Sequence, residues 1–274
     1  MTKPYLVAAL LFLASCTATQ TVKKTEPVAT EPPKTENELR VINNKIVALS
    51  GLCQSLYAEG TITLRQGSSS QSGQFEMRSK RCAAPGDVDS LSMIVSGPFG
   101  ITAAKFLGSD NEFHFVNVLQ GEQYHGKPDA KTLEQFTGMK GLSLSLLNDL
   151  IYGISPMRLS DAEVERAQQQ IIRGKDRLFF QNIAKGYSEA ITLRTEGNSV
   201  KLYTYERWNR LVDTIGASVY RPDLLVTFTG SFREEPFLLP RLITATSGSQ
   251  TLEIEYSEAK ENAGTPVKIK MPSK

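Results

Sequence analysis

The side chains that could do chemistry are few in this 274-residue chain: two histidines, His114 and His125, and three cysteines, Cys16, Cys53 and Cys82. His114 lies between Phe113 and Phe115 in a strand-like run, and His125 follows Tyr124. Neither belongs to an HExxH motif, no CxxC is present, and the sequence offers no third ligand beside them. They read as structural or surface histidines, with no metal expected. No glycine-rich phosphate loop and no Gly-x-Ser-x-Gly elbow occurs. Asp161, Glu163 and Glu165 read as one solvated helix face rather than an acid/base pair. An enzyme is therefore not expected, and no cofactor is called for. The chemistry that remains is that of cysteine.

Cys16 closes a three-part leader. Lys3 gives a basic start, Tyr5 to Ala14 is almost wholly apolar, and small residues precede the cysteine in Leu13-Ala14-Ser15-Cys16. That is the layout of an export signal. The apolar run is shorter than the ~20 residues a transmembrane helix needs. The motif resembles a bacterial lipoprotein signal with its lipobox, and an ordinary signal peptide is the alternative. The resemblance implies cleavage before Cys16, acylation of that cysteine with palmitate-type chains, and a domain working outside the cytoplasm. Several acyl chains anchor firmly where a single chain does not. Thr17, where an aspartate would favour inner-membrane retention, points to the periplasmic face of the outer membrane.

Residues 1–15 thus read as signal peptide and 16–36 as lipidated cysteine plus tether. The tether carries Pro27, Pro32 and Pro33, balanced lysines and glutamates, and few apolar residues, too few to offset its ordering entropy. Residues 37–274 read as the folded domain. Hydrophobic residues make up 40% and charged residues 22%, which supports a packed core. A net charge of +2 with no basic cluster excludes nucleic acid as the expected partner.

An exported chain with two further cysteines suggests a disulfide. Gln54 to Arg65 and Gly73 to Arg81 read as strands around the Gly67-Ser68-Ser69-Ser70 region. A two-residue turn at Gly67-Ser68 pairs residue i with 135 − i, which sets Cys53 opposite Cys82. A longer loop breaks that register, and two buried free thiols are the other reading.

The elements around these residues are mostly strands. Leu39, Ile42, Ile46 and Leu49 make a helical stripe over Asn37 to Ser50, ended by Gly51. Alternating strands follow at Ser90 to Ser96, Ile101 to Leu107, Glu112 to Val118 and Gly121 to His125. Helices are expected at Asp129 to Thr137, Leu142 to Tyr152, and Asp161 to Ile171, the last with a Ser160/Glu163 capping box. Strands resume at Arg177 to Gln181, Ser188 to Arg194, Val200 to Arg207, Ser218 to Tyr220, Leu224 to Phe232, Arg241 to Thr246, Thr251 to Tyr256 and Val267 to Met271. The fold class is mostly β: one curled antiparallel sheet, a half-open barrel, capped by helices over a cavity.

The stretch from Ser90 to Pro156 resembles the LolA/LolB family of lipoprotein carriers and outer-membrane receptors. It is carried by Leu91 to Gly100 with its Gly97-Pro98-Phe99-Gly100 turn, by Gly121 to Tyr124, by Leu133 to Met139 with its Gly138-Met139 turn, and by the leucine-rich run Leu142 to Ile151 ending at Gly153. It covers about a quarter of the chain. The C-terminal part diverges, so the likeness is to divergent LolB-like lipoproteins. The resemblance implies an apolar interior that takes the acyl chains of other lipoproteins, a periplasmic LolA-like carrier as partner, and a monomer. Reception or insertion of lipoproteins at the outer membrane would be the function. A structural or assembly lipoprotein with a filled interior, binding a protein or glycan, is the alternative.

Three groups of residues follow from this. Pro98, Phe99 and Gly100 form a turn whose family counterpart carries a protruding leucine that hands cargo to the membrane; a Phe99 folded into the core is the plainer reading. Leu142, Leu144, Leu146, Leu147, Leu150 and Ile151 give a helix apolar on more than one face, either a lid or ordinary helix-on-sheet packing. Leu56, Ile62, Leu64, Phe75, Met77, Met93, Val95, Phe106, Phe113 and Phe115 are the expected cavity lining, with Phe179 and Tyr203 as further candidates. About half of such residues are expected to be plain core.

Overall fold

The fold grows from its first hairpin. In the computed structural model, β1 (Gln54–Gln66) and β2 (Ser69–Arg81) pair from Gln54↔Arg81 to Gln66↔Ser69, turning at Gly67 and Ser68. The 135 − i register holds along its whole length. The structure describes residues 36–50, 54–81, 89–109, 111–172, 174–196, 199–231 and 239–261. Cys16, Cys53 and Cys82, the signal and tether, and the expected strand Val267 to Met271 lie outside them.

Helix α1 (Glu36–Ser50) precedes the hairpin. After it come β3 (Ser90–Ser96), β4 (Thr102–Ser109), β5 (Phe113–Asn117) and β6 (Glu122–Gly126). Three helices follow, α2 (Ala130–Thr137), α3 (Leu144–Ile151) and the single turn α4 (Asp161–Val164). The second half holds β7 (Gln168–Ile172), β8 (Lys175–Asn182), β9 (Tyr187–Glu196), β10 (Ser199–Trp208), helix α5 (Thr214–Val219), β11 (Leu224–Thr229), β12 (Leu242–Ser247) and β13 (Gln250–Glu261). All thirteen strands join one antiparallel sheet in the order β6-β5-β4-β3-β2-β1-β13-β12-β11-β10-β9-β8-β7. Its outer strands, β6 and β7, do not pair with each other, so the barrel is not closed. No helix among the described residues is long and apolar enough to cross a membrane.

Two sequence expectations need correction. Asp161 to Ile171 is not one helix. The capping box forms, with the Glu163 carboxylate accepting from the Ser160 N–H at 2.9 Å and hydroxyl at 2.8 Å. The helix stops after one turn because Gln168 to Ile172 pairs with β8 instead, exchanging local for cross-strand hydrogen bonds. Nor is Ser218 to Tyr220 a strand. Asp213 accepts from the Gly216 N–H at 2.6 Å and starts α5, which buries Ala217 in a small cluster with Phe179, Ala190, Trp208 and Val212.

Period-2 alternation puts one face of the sheet into the main core. Leu56 and Ala58 of β1, Phe75 and Met77 of β2, Leu91 and Met93 of β3, and Leu252, Ile254 and Tyr256 of β13 all lie there with Ile42 and Ile46 of α1. The β1–β13 register shifts between Glu59 and Gly60, where Ser257 of β13 is the extra residue of a bulge. Gly60 is required there, because a Cβ would collide with the Glu255 carbonyl oxygen.

Candidate functional site

At the β1–β6 side of the sheet the inner face is not filled. A cavity of about 220 Å³ lies between the sheet and the helices, lined by Ile62 and Leu64 of β1, Gln71 and Gly73 of β2, Leu91, Met93 and Val95 of β3, Phe106 of β4, Phe113 and Phe115 of β5, Leu133 and Thr137 of α2, Leu147 of α3, and Leu252 and Ile254 of β13. Gln71 and Thr137 are its only polar side chains. Ile62, Leu64, Val95, Phe106, Phe115 and Leu147 point inward yet stay only half-buried. Inward apolar side chains that still meet solvent mark a half-open cavity rather than a sealed packing defect. An apolar space of this scale is large enough for small apolar groups.

The cavity belongs to one end of the sheet. Val95 sits at the end of β3 beside a bulge, and Gln74 pairs with Ser96. Gly73 and Gln71 therefore stand level with the Gly97–Ile101 turn that follows β3. A second, smaller gap runs beneath α3 between Leu142, Leu147, Leu150, Ile151 and Ile243, Ala245, Leu252, Ile254. It shares Leu147, Leu252 and Ile254 with the main cavity but holds only about 10 Å³, so the packing beneath α3 is nearly complete.

Of the ten residues expected to line a cavity, Ile62, Leu64, Met93, Val95, Phe106, Phe113 and Phe115 do so. Leu56, Phe75 and Met77 do not; they are close-packed core, with the Phe75 ring edge-on to Tyr256 at 6.0 Å. Phe179 packs against Trp208 in the separate cluster under α5. Tyr203 lies under the Lys175 ammonium at 3.6 Å and does not line the cavity. Leu91, Leu133, Leu252 and Ile254 line it without having been expected. They come from three elements, and only the three-dimensional pairing of β1 with β13 brings Leu252 and Ile254 opposite Leu64 and Ile62.

Phe99 is fully exposed. Its backbone is left-handed, φ 62° and ψ 21°, inside the Pro98–Gly100 turn. A non-glycine residue in that region is uncommon and strained. Beside it, Ile101 is exposed, and the β5–β6 turn carries exposed Val118 and Leu119, with the Val118 N–H donating to the Ala103 carbonyl at 2.9 Å. Four uncovered apolar side chains thus stand together at the cavity end of the sheet.

All six residues of the expected lid are accounted for. Leu142, Leu144, Leu146, Leu150 and Ile151 are buried, and Leu147 reaches the cavity. The helix is also bolted down by polar groups that its apolar sequence does not advertise. The Ser79 hydroxyl donates to Asn148 at 2.6 Å. Arg81 donates to Asp149 at 2.7 Å and to the Ser50 carbonyl at 2.7 Å, and Arg158 donates to Asp149 at 2.5 Å. The Tyr152 hydroxyl bonds the Ser79 carbonyl at 3.0 Å, and that of Tyr256 bonds the Ile151 carbonyl at 3.1 Å. Burial pushes the Asp149 carboxyl above its ordinary range, against the pull of Arg158 and Arg81. These buried polar ties hold α3 against β2 and β13. The shorter α2, capped by Asp129 on the Thr132 N–H at 2.8 Å and ended by left-handed Gly138, contributes Leu133 and Thr137 beside it.

The two histidines, read from the sequence as structural or surface residues, have Glu112 beside them. His114 and His125 face each other across β5 and β6, and Glu112 lies two residues before His114 on the same face.

No family model matches the sequence, and no curated protein matches it. Among solved structures, a Vibrio parahaemolyticus domain whose name assigns it to outer membrane lipoprotein sorting is similar, at 14% identity and a TM-score of 0.55, over 85% of this chain and 96% of that one. A DUF1329 family protein from Desulfovibrio piger is similar at 12% identity and a TM-score of 0.54, over 86% and 96%. A LolA superfamily protein from Nitrosomonas europaea matches more loosely, at 10% identity and a TM-score of 0.42, over 81% and 92%. The chain thus shares the fold of the Vibrio and Desulfovibrio proteins, a half-open antiparallel sheet with helices against it.

Proposed function

We propose that this protein is a lipid-anchored envelope protein that binds acyl chains in its half-open cavity and passes them to or from a membrane, without catalysing a reaction. One observation carries the reading: an apolar cavity of about 220 Å³ opens at the same end of the sheet as the exposed, left-handed Phe99. The cavity accepts hydrocarbon because its lining is almost wholly apolar, and burial of such surface contributes about 25 cal/mol per Å². Phe99, Ile101, Val118 and Leu119 supply an apolar tip that can enter a bilayer interface beside the cavity mouth. The lipoprotein-sorting name of the Vibrio domain, which shares the fold, agrees with a cargo of lipoprotein acyl chains. A LolA-like carrier would deliver that cargo, and Cys16 would hold the domain on the periplasmic face of the outer membrane.

Titration with a fluorescent long-chain fatty acid tests the reading. Saturable binding is expected, with at least tenfold weakening in Val95→Trp, where an indole fills the cavity. Overpacking costs about 1–3 kcal/mol in a closed core, and Val95 borders open space, so the variant should stay folded. Absence of saturable binding by the folded protein would favour a partner-binding role instead.

A further inference from the structure

The outer face of the edge hairpin carries a group of side chains that the acyl-binding reading does not use. Alternation along β5 sends Phe113 and Phe115 into the cavity and His114 the other way. His125 is its direct partner on β6, with the two rings 4.2 Å apart between centroids and inclined by 58°. Glu112 shares that face, and its Oε2 lies 3.4 Å from Nε2 of His114. One ligand atom from each of the three residues can be chosen so that all lie within 4.8 Å of one another.

We propose that Glu112, His114 and His125 form a binding site for a zinc-type divalent transition-metal ion. Two imidazoles and a carboxylate suit zinc, with bonds of about 2.0–2.2 Å, and do not suit calcium or magnesium, which demand oxygen cages. Tetrahedral ligands at that bond length stand roughly 3.3 Å apart, so the three side chains need close by only about 1.5 Å. Glu112 and His125 are exposed and His114 is half-buried, which leaves the first two free to rotate and leaves solvent at the fourth position. The frame is local and cross-strand: Glu112 immediately before β5, His114 two residues on within it, and His125 directly opposite on β6. The consequence is local. β6 is a five-residue outer strand, and an ion held between β5 and β6 would clip it to the strand that supplies Phe113 and Phe115 to the cavity wall. Metal that binds only the folded state raises its stability.

The full chain in detergent, purified without a polyhistidine tag, decides the matter by calorimetric titration with zinc chloride. One-to-one saturable binding is expected, together with a raised melting temperature and visible-region absorption when cobalt(II) replaces zinc. His125→Ala should weaken binding by at least about tenfold, while its metal-free melting temperature matches wild type because His125 is exposed. Calcium chloride should give no saturable binding. Absence of saturable zinc binding, or zinc binding that is unchanged in both His125→Ala and His114→Ala, would overturn the proposal.

Discussion

Phe99 concentrates the question of function in one side chain. The sequence places it in a Gly97-Pro98-Phe99-Gly100 turn but cannot decide whether the ring faces out or in. The structure puts it wholly outside, on a backbone with φ 62°. Left-handed backbone for a non-glycine residue costs about 1–3 kcal/mol and persists where something else is gained. Removing the ring should therefore not hurt folding. Phe99→Glu is expected to melt within a degree or two of wild type, since exposed substitutions usually stay within about 0.5 kcal/mol. The same variant should lose most of its vesicle binding, measured by flotation of the chain carrying Cys16→Ser to remove the anchor. A large drop in melting temperature would mean the ring is core, and the tip would have no role in transfer.

At the scale of elements, the strands were legible because their apolar residues alternate. The β1–β2 register was legible because Gly67-Ser68 is a two-residue turn, and it runs as expected from Gln66↔Ser69 to Gln54↔Arg81. Where helical and strand propensities compete over short stretches, the sequence misled. Ser218 to Tyr220 looks like a strand, yet the Asp213 cap makes it a helix, and Asp161 to Ile171 is split between one helical turn and an outer strand. The buried network under α3 was invisible for another reason: Asn148 and Asp149 look like the solvated side of a helix until Ser79, Arg81 and Arg158 are folded against them.

That network sets a pH-dependent prediction. Asp149 has a folded-state pKa raised above its ordinary 3.8, chiefly by burial. Such a group favours folding below 3.8, and that contribution is lost as pH rises through its raised value. Arg81→Met removes one of two opposing guanidinium groups and raises the carboxyl further. Relative to wild type it should be destabilised by about 3–5 kcal/mol at neutral pH, and by less at about pH 3, below the ordinary carboxylate range, where the raised carboxyl is protonated. Urea unfolding at the two pH values checks this; an equal loss at both would show that Asp149 carries no charge in the fold.

The same register bears on the remaining cysteines. Its rule of 135 − i also relates Cys53 to Cys82, and we expect them to be joined in exported protein. Closure of that loop would contribute about 3–4 kcal/mol on the chain-entropy view. Mass spectrometry of protein extracted from membranes tests both cysteine assignments together. The expected result is a mature chain beginning at acylated Cys16 with a Cys53–Cys82 linkage in the non-reduced digest. An unmodified Cys16 peptide, or both other thiols free, would remove the corresponding assignment.

For the whole molecule, the decisive feature is that thirteen strands curl without closing. The sequence conveys a large antiparallel sheet with helices against it, and the similar Vibrio parahaemolyticus domain shares that fold. It does not say which inward residues are core and which line space, because both are apolar. Leu56, Phe75 and Met77 are buried in the main core, while Ile62 and Leu64, farther along β1, and Val95 on β3 border the cavity. The central claim is that this space holds an acyl chain. It is tested most directly by methyl-resolved NMR of the full chain with a spin-labelled long-chain fatty acid. Saturable broadening is expected for Ile62, Leu64, Val95, Leu147 and Leu252, with Leu178, Leu193 and Leu202 of the far half unaffected. Uniform broadening across both halves, or none at saturating fatty acid, would contradict it.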